Sequence, residues 1–257
     1  MEQKGHNTTE HSTGRKVGSG LAALGVGFGV KRGINKLPEP YFSYIDHEMG
    51  AISRREAEAL KKAVGGSDAK VFIGPKEGYR GYYKLLRKRN WPENEARESA
   101  YDLVQNFGHY LPELNTVYIP GNSRLTLAHE LSHSNSPKLL KTLRTVSNMK
   151  AVRNAPLVYG LARGATSDDV SGTDLAVMGG LALPQLAEES RANWKAYRAM
   201  KKLYGKLSNH SKEILIGSEE SYLRHALIPF AVYGSAKATR ALINKYYKNK
   251  NNSKSQK

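Results

Sequence analysis

Residues 115–134 read NTVYIPGNSRLTLAHELSHS, and the change of pattern inside them decides the fold class. Asn115 to Pro120 (NTVYIP) is a β-rich run ended by Pro120-Gly121-Asn122-Ser123, the signature of a short strand. Asn122 or Ser123 then offers an N-cap, and residues 124–134 continue without glycine or proline as a helix. On that helix His129 and His133 stand four residues apart, so they project from one face, one turn apart, and can bind a single Zn²⁺. Glu130 lies beside them. A carboxylate there can accept a proton from a water acidified by the ion and pass it to a leaving amine. The strand just before the helix is expected to offer backbone groups to an extended peptide.

Outward from this core, Ser53-Arg54-Arg55-Glu56 is a capping box, and with Gly65-Gly66 as the stop it predicts a helix over 53–64. Residues 70–73 (KVFI) read as a short strand. Residues 91–110 carry Ala96, Ala100, Leu103, Val104 and Phe107 at helical spacing and predict one amphipathic helix. Beyond residue 138 the pattern is helical throughout: 138–150, 155–163, 174–204 with a break at Pro184, and 219–246 with Pro229 inside. A few strands in the first half and helices in the second make an α+β chain, with a small antiparallel-edged sheet and a mainly helical C-terminal half.

Composition narrows the chemistry. The chain has 257 residues, 39% of them apolar, enough for a sizeable core. It has no cysteine, which excludes disulfides, thiolate ligands and cysteine nucleophiles, so a transition metal has to be held by histidine and carboxylate. The net charge of +17 predicts attraction to polyanions, either an anionic membrane or nucleic acid. The stretch 79–91 (YRGYYKLLRKRNW) interleaves aromatics with basic residues, a pattern able to stack on and neutralise a nucleic acid strand, although such helices more often bury the rings and solvate the charges. The opening Met1-Glu2-Gln3-Lys4 is not a secretory signal, so a cytoplasmic protein is expected, membrane-associated or virion-associated if its apolar or basic surfaces are used. Residues 17–30 (VGSGLAALGVGFGV) are apolar between basic flanks but span only about 21 Å as a helix, against the roughly 30 Å of a bilayer core. A glycine-rich helix packed closely on a partner, or one that touches a membrane, fits that length.

Zinc needs a third protein ligand and an open position for water. Glu188 and Glu189, adjacent carboxylates at the end of an apolar stretch, are the best candidates; Asp168, Asp169 and Asp174 lie in a Ser/Gly/Thr-rich loop expected to be solvated. Tyr197, Tyr222, His225 and Tyr233 are possible donors to a reaction intermediate, each with core packing or a surface hydrogen bond as its commoner fate.

His129-Glu130-Leu131-Ser132-His133 followed by Glu189-x-x-Ala192 resembles the HExxH plus distant Glu-x-x-Ala-Asp pattern of the gluzincin peptidases, particularly the prenyl-protease and heat-shock-protease type, and is similar to small zincin domains of bacterial and phage proteins. The resemblance covers residues 115–200. It implies a zincin-like fold, a zinc metallopeptidase acting on a peptide or protein substrate, His129, His133 and Glu189 as metal ligands and Glu130 as the base. Asn193 departs from that pattern, standing where an Asp is implied to support the ligands by hydrogen bonding; its carbonyl can accept such a bond without the charge. The expected layout is a disordered tail over 1–14, a glycine-rich helix over 15–36, the zincin-like domain over 37–246 and a disordered basic tail over 247–257. The competing expectation is a basic structural, membrane-associated or nucleic-acid-associated protein on a weakly active or inactive zincin scaffold.

Overall fold

The computed structural model describes residues 7–36, 51–105, 108–121, 123–148, 150–167 and 169–255, in an α+β arrangement. The chain divides into two compact units, one of Pro40–Val146 with Gln185–Tyr222, the other of Met1–Glu39, Ser147–Pro184 and Leu223–Lys257. The expected single domain over 37–246 is therefore divided, and the glycine-rich helix belongs to the second unit.

The first unit is built on a sheet of β1 (Lys70–Ile73), β2 (His109–Leu111) and β3 (Thr116–Ile119), with β3 central, parallel to β1 and antiparallel to β2. All four β3 residues are buried, and strand alternation sends them two ways. Val117 and Ile119 join Leu60, Leu127, Leu131 and Ala196, while Tyr118 joins Tyr82, Leu86, Ala96 and Val104. One face is thus covered by α2 (Arg54–Ala63), α5 (Arg124–Ser134) and the later turns of α8 (Gly172–Tyr204), the other by α3 (Pro75–Lys88) and α4 (Glu93–Gln105). Burial on both faces is why this strand reads as a continuous apolar run.

The central place of β3 corrects one expectation. Both of its edges are already hydrogen-bonded, so it has no free backbone groups for a peptide, and the antiparallel edge of the sheet is β2. β2 itself lies inside the stretch read as one helix over 91–110: α4 ends at Gln105, and His109, Tyr110 and Leu111 pair with Tyr118, Val117 and Thr116. The capping box of α2 is formed as expected, with Ser53 and Glu56 exchanging bonds and the helix ending before Gly65-Gly66.

α3 packs on the sheet through Gly78, where an added Cβ would stand 2.6 Å from Tyr118 Cε2 and 2.9 Å from Val104 Cγ1. Tyr118 cannot yield easily, because its hydroxyl donates to the Val104 carbonyl at 3.0 Å. Gly78→Ala gains about 1 kcal/mol of helix propensity but overpacks the core by about 1–3 kcal/mol. A lower denaturation midpoint in urea is expected; a higher one would mean that α3 stands off the sheet. Of the aromatics of 79–91, Tyr82 is fully buried and Tyr79 and Tyr83, stacked on each other, pack against its cluster, while Trp91 is exposed, as are Arg80, Lys84, Arg87, Lys88 and Arg89.

The second unit is helical. α1 (Asn7–Asn35) begins inside the stretch expected to be a tail, and α9 (Asn209–Ser255) runs through the stretch expected to be the other. Leu24 of α1 packs with Leu161 of α7 (Lys150–Thr166) and with Ile228 and Val232 of α9. At Gly27 a Cβ would come within 2.6 Å of Leu161 Cδ2, so the glycine-rich segment is a helix pressed on a partner. Asp174, expected in a solvated loop, is buried in the first turn of α8 and accepts bonds from Arg163 Nε at 2.8 Å, Tyr159 at 2.8 Å and Tyr233 at 3.1 Å; Asp169 is exposed, and Asp168 lies outside the described residues. α8 and α9 run unbroken through Pro184 and Pro229, and α6 (Lys138–Asn148) precedes α7. Among the described residues no helix is long and apolar enough to cross a membrane.

Candidate metal centre

α5 is buried around nearly its whole circumference, although seven of its eleven side chains are polar. Burying a polar group without a partner costs roughly 1–3 kcal/mol, so the question for each is what it bonds. Ser123 caps the helix, its hydroxyl accepting from Thr126 N at 3.1 Å. Ser132 and Ser134 donate to the carbonyls of Ala128 and Leu131, each at 2.7 Å. Arg124, in the first turn and 3% exposed, donates to Glu56 Oε1 from Nε at 3.0 Å and from Nη2 at 2.8 Å, which ties α5 to α2.

Glu56 is held below the ordinary carboxylate range first by the Ser53 backbone N–H, against the opposing effect of burial, and then by Arg124 and the Ser53 hydroxyl. A carboxylate with a depressed folded-state pKa contributes stability in full above its unfolded value and loses it as pH falls toward the folded value. Glu56→Gln is therefore expected to destabilise by about 2 kcal/mol at pH 7, because Arg124 keeps its charge and loses its counter-ion. The gap from wild type should shrink between pH 5 and pH 3, in thermal melts recorded across that range.

The two histidines of α5 meet the later helix. His133 Nε2 lies 3.0 Å from His129 Nε2 and 3.2 Å from Glu189 Oε2, and His129 Nε2 lies 3.2 Å from the same Glu189 oxygen. These three atoms form a nearly equilateral triangle, and His129, His133 and Glu189 form a group that can hold a metal ion. The fit is direct: ligands at about 2.0–2.1 Å around a tetrahedral ion stand ~3.3 Å apart. Glu189 lies on α8, whose Ala196, two turns further on, shares a core cluster with Leu127, Ala128 and Leu131 of α5. Burial raises the Glu189 pKa, but the charges and hydrogen bonds of His133 and His129 outweigh it and hold the carboxyl well below its ordinary range.

Glu188 does something different. Its Oε1 lies 3.0 Å from His133 Nδ1, the nitrogen that faces away from the triangle. Ser136 Oγ also donates to Oε1, and Arg191 donates from Nε to Oε2 at 2.9 Å and from Nη2 to Oε1 at 3.1 Å. Burial pushes this carboxyl up, yet His133, Arg191 and Ser136 together hold it down to about 2. An ionised carboxylate only accepts, so His133 donates to Glu188 through Nδ1, which leaves Nε2 to face the triangle. Of the two adjacent glutamates, Glu189 is in the triangle and Glu188 orients a histidine behind it, the arrangement that fixes the tautomer of metal-binding imidazoles.

Glu130 is the exception on α5. It is 7% exposed, and its Oε2 is buried without a hydrogen-bond partner. It lines a cavity of about 140 Å³ together with His129, Asn193, Leu125, Ile214 and Tyr222. This carboxylate oxygen, one residue along the helix from His129, is engaged by no protein group and so is open to a ligand in the cavity.

Asn193 is near the centre, as its position in the sequence requires, but its amide is committed to α9, donating to Ser218 Oγ at 3.2 Å and Glu219 Oε1 at 3.1 Å. Its amide therefore anchors the α9 segment that walls the cavity. Of the possible donor residues, Tyr222 lines the cavity, Tyr197 stacks on Trp194 at 5.8 Å between ring centres, and Tyr233 and His225 fall in the other unit, Tyr233 bonded to Asp174. Sequence reasoning missed Ser136 and Arg191, which hold Glu188; Arg191 lies one helical turn after it, a spacing that could have signalled the pair. No family model, no curated protein and no solved structure matches the chain, so the centre stands on its own geometry.

Proposed function

We propose that the chain is a zinc-dependent metallopeptidase, with His129, His133 and Glu189 as ligands and Glu130 as general base, on a zincin-like scaffold in which a buried strand leads into the histidine helix. The observation that carries the reading is the pairing of a three-ligand triangle with the unpartnered Glu130 carboxylate beside it. A structural metal site has no use for such a base. The donor set of two imidazoles and one carboxylate, with no thiolate, matches catalytic rather than structural zinc sites.

A zinc ion at this position would supply a Lewis acid that lowers the pKa of a water and polarises a scissile carbonyl. Glu188 keeps His133 in the ligating tautomer, and Ser136 and Arg191 keep Glu188 ionised. Glu130 takes the proton of the attacking water and then delivers it to the departing amine. The partly closed, largely apolar cavity limits access of bulk water to the reacting groups.

The test is elemental analysis of the purified protein, with casein proteolysis alongside, before and after chelation and again after zinc is restored. About one zinc per chain is expected, with proteolysis lost on chelation and recovered with the metal. A protein that takes up no zinc on reconstitution would sink the proposal.

A further inference from the structure

The cavity beside Glu130 is lined by the apolar side chains of Leu125, Ile214 and Leu215 together with His129, Glu130, Asn193, Thr126, Ser218 and Tyr222, and its wall is more apolar than polar. Its volume is about 140 Å³. An apolar cavity of about 150 Å³ takes up benzene, so this one has room for a branched aliphatic side chain and little more. The apolar walls come from two elements fixed independently. Leu125 belongs to α5, whose first turn is held by Arg124 to Glu56; Ile214 and Leu215 belong to α9, which is held to α8 by Asn193 to Ser218 and by Ser190 to Glu219 at 2.7 Å. Leu125 and Ile214 are themselves buried in the main core, so these walls of the pocket are set by packing.

A charged side chain placed there would lose its hydration against a largely apolar wall. A glycine or alanine would leave most of the space empty. From this we infer that the pocket is the specificity site of the proposed peptidase: it takes one medium-sized aliphatic side chain, leucine, isoleucine, valine or methionine, from a residue flanking the bond to be cut. The inference rests on the peptidase reading for what happens at the bond, but the pocket itself can be tested apart from catalysis.

The probe is a set of capped hexapeptides with a common frame, in which one position is Leu, Ile, Val, Met, Phe, Ala, Lys or Asp. With zinc-loaded wild type, cleavage next to Leu, Ile, Val or Met should exceed cleavage next to Ala, Lys or Asp by at least tenfold in kcat/KM, since a single methylene in an apolar pocket is worth about tenfold or more. Leu215→Ala, which enlarges the pocket, should move the optimum toward Phe; Leu215→Phe, which fills it, should move the optimum toward Ala. Zinc content is measured for both variants to establish that the centre is intact. Rates equal within about threefold across the set, or a preference for Lys or Asp, would overturn the pocket.

Binding of the same peptides to zinc-loaded Glu130→Gln by titration calorimetry separates the two claims. If nothing is cut by wild type but the aliphatic peptides still bind at least tenfold tighter, with the order changed by Leu215→Ala, the peptidase reading fails and the pocket stands. If binding is indifferent to the varied residue, the pocket is wrong whatever is cleaved.

Discussion

Glu130→Gln is expected to abolish proteolysis, by a factor of about 10²–10⁴ in kcat, while leaving one zinc bound and raising the stability of the metal-free protein. The three effects have one cause. Glu130 Oε2 is buried and unpartnered, and the residue is not in the ligand triangle. A carboxylate oxygen in that state has no donor from the protein, a deficit of about 1–3 kcal/mol that a neutral amide lessens. At this chain length 1 kcal/mol moves the melting temperature by roughly 2–4 °C. The amide is close in shape and cannot accept the proton of an attacking water. A structural role predicts the opposite sign: a carboxylate needed to hold the fold would, as glutamine, lower the melting temperature. Metal content, casein proteolysis and thermal melts on the same preparations distinguish the two. A variant that melts lower than wild type and still cuts casein would remove Glu130 from the mechanism.

What the sequence carried to this point is uneven, and the unevenness follows the range of the physical signal. The α5 helix, its Ser123 cap and the Ser53–Glu56 capping box of α2 are written in residues within four positions of each other, and they form as read. β2 was hidden because His109-Tyr110-Leu111 comes directly after the helical spacing of Ala96, Ala100 and Val104, and only pairing with β3, a partner in the fold, makes it a strand. Pro184 was read as a break, yet α8 passes through it: one missing backbone bond is offset by the packing of the turns that follow, where Ala192, Ala196 and Ala199 are fully buried. Asp174 looked like a loop residue because the Arg163, Tyr159 and Tyr233 that bury it are 11, 15 and 59 positions away. The pairing of His129 with His133 was legible from one helical turn. The division of labour between Glu188 and Glu189 needed the structure, because it depends on which face of α8 meets which nitrogen of His133.

That division yields the second large effect. Glu189→Ala should reduce bound zinc from about one per chain to near zero after dialysis against a buffered trace of free metal, since it removes one of three protein ligands. Glu188→Ala should retain zinc at saturation but weaken its affinity by about 10–100-fold, as loss of a group that orients a ligating histidine does. The two variants also differ in stability. Without Glu188, the half-buried Arg191 keeps only the Ser132 carbonyl and the Ser136 hydroxyl, and His133 Nδ1 loses its acceptor inside a site where the histidine is almost fully buried. Glu188→Ala should therefore melt well below wild type in the metal-free state, by about 3 kcal/mol. Without Glu189, the two imidazoles lose a shared acceptor while the Glu188 network remains whole, so the loss should be smaller. Metal titration with a competing chelator and melts of both apo variants read the two quantities. If Glu188→Ala empties the site and Glu189→Ala keeps it, the ligand is Glu188 and the triangle with Glu189 is only an ion pair; if neither change alters zinc binding, the metal sits elsewhere and the centre described here is a buried histidine–glutamate network.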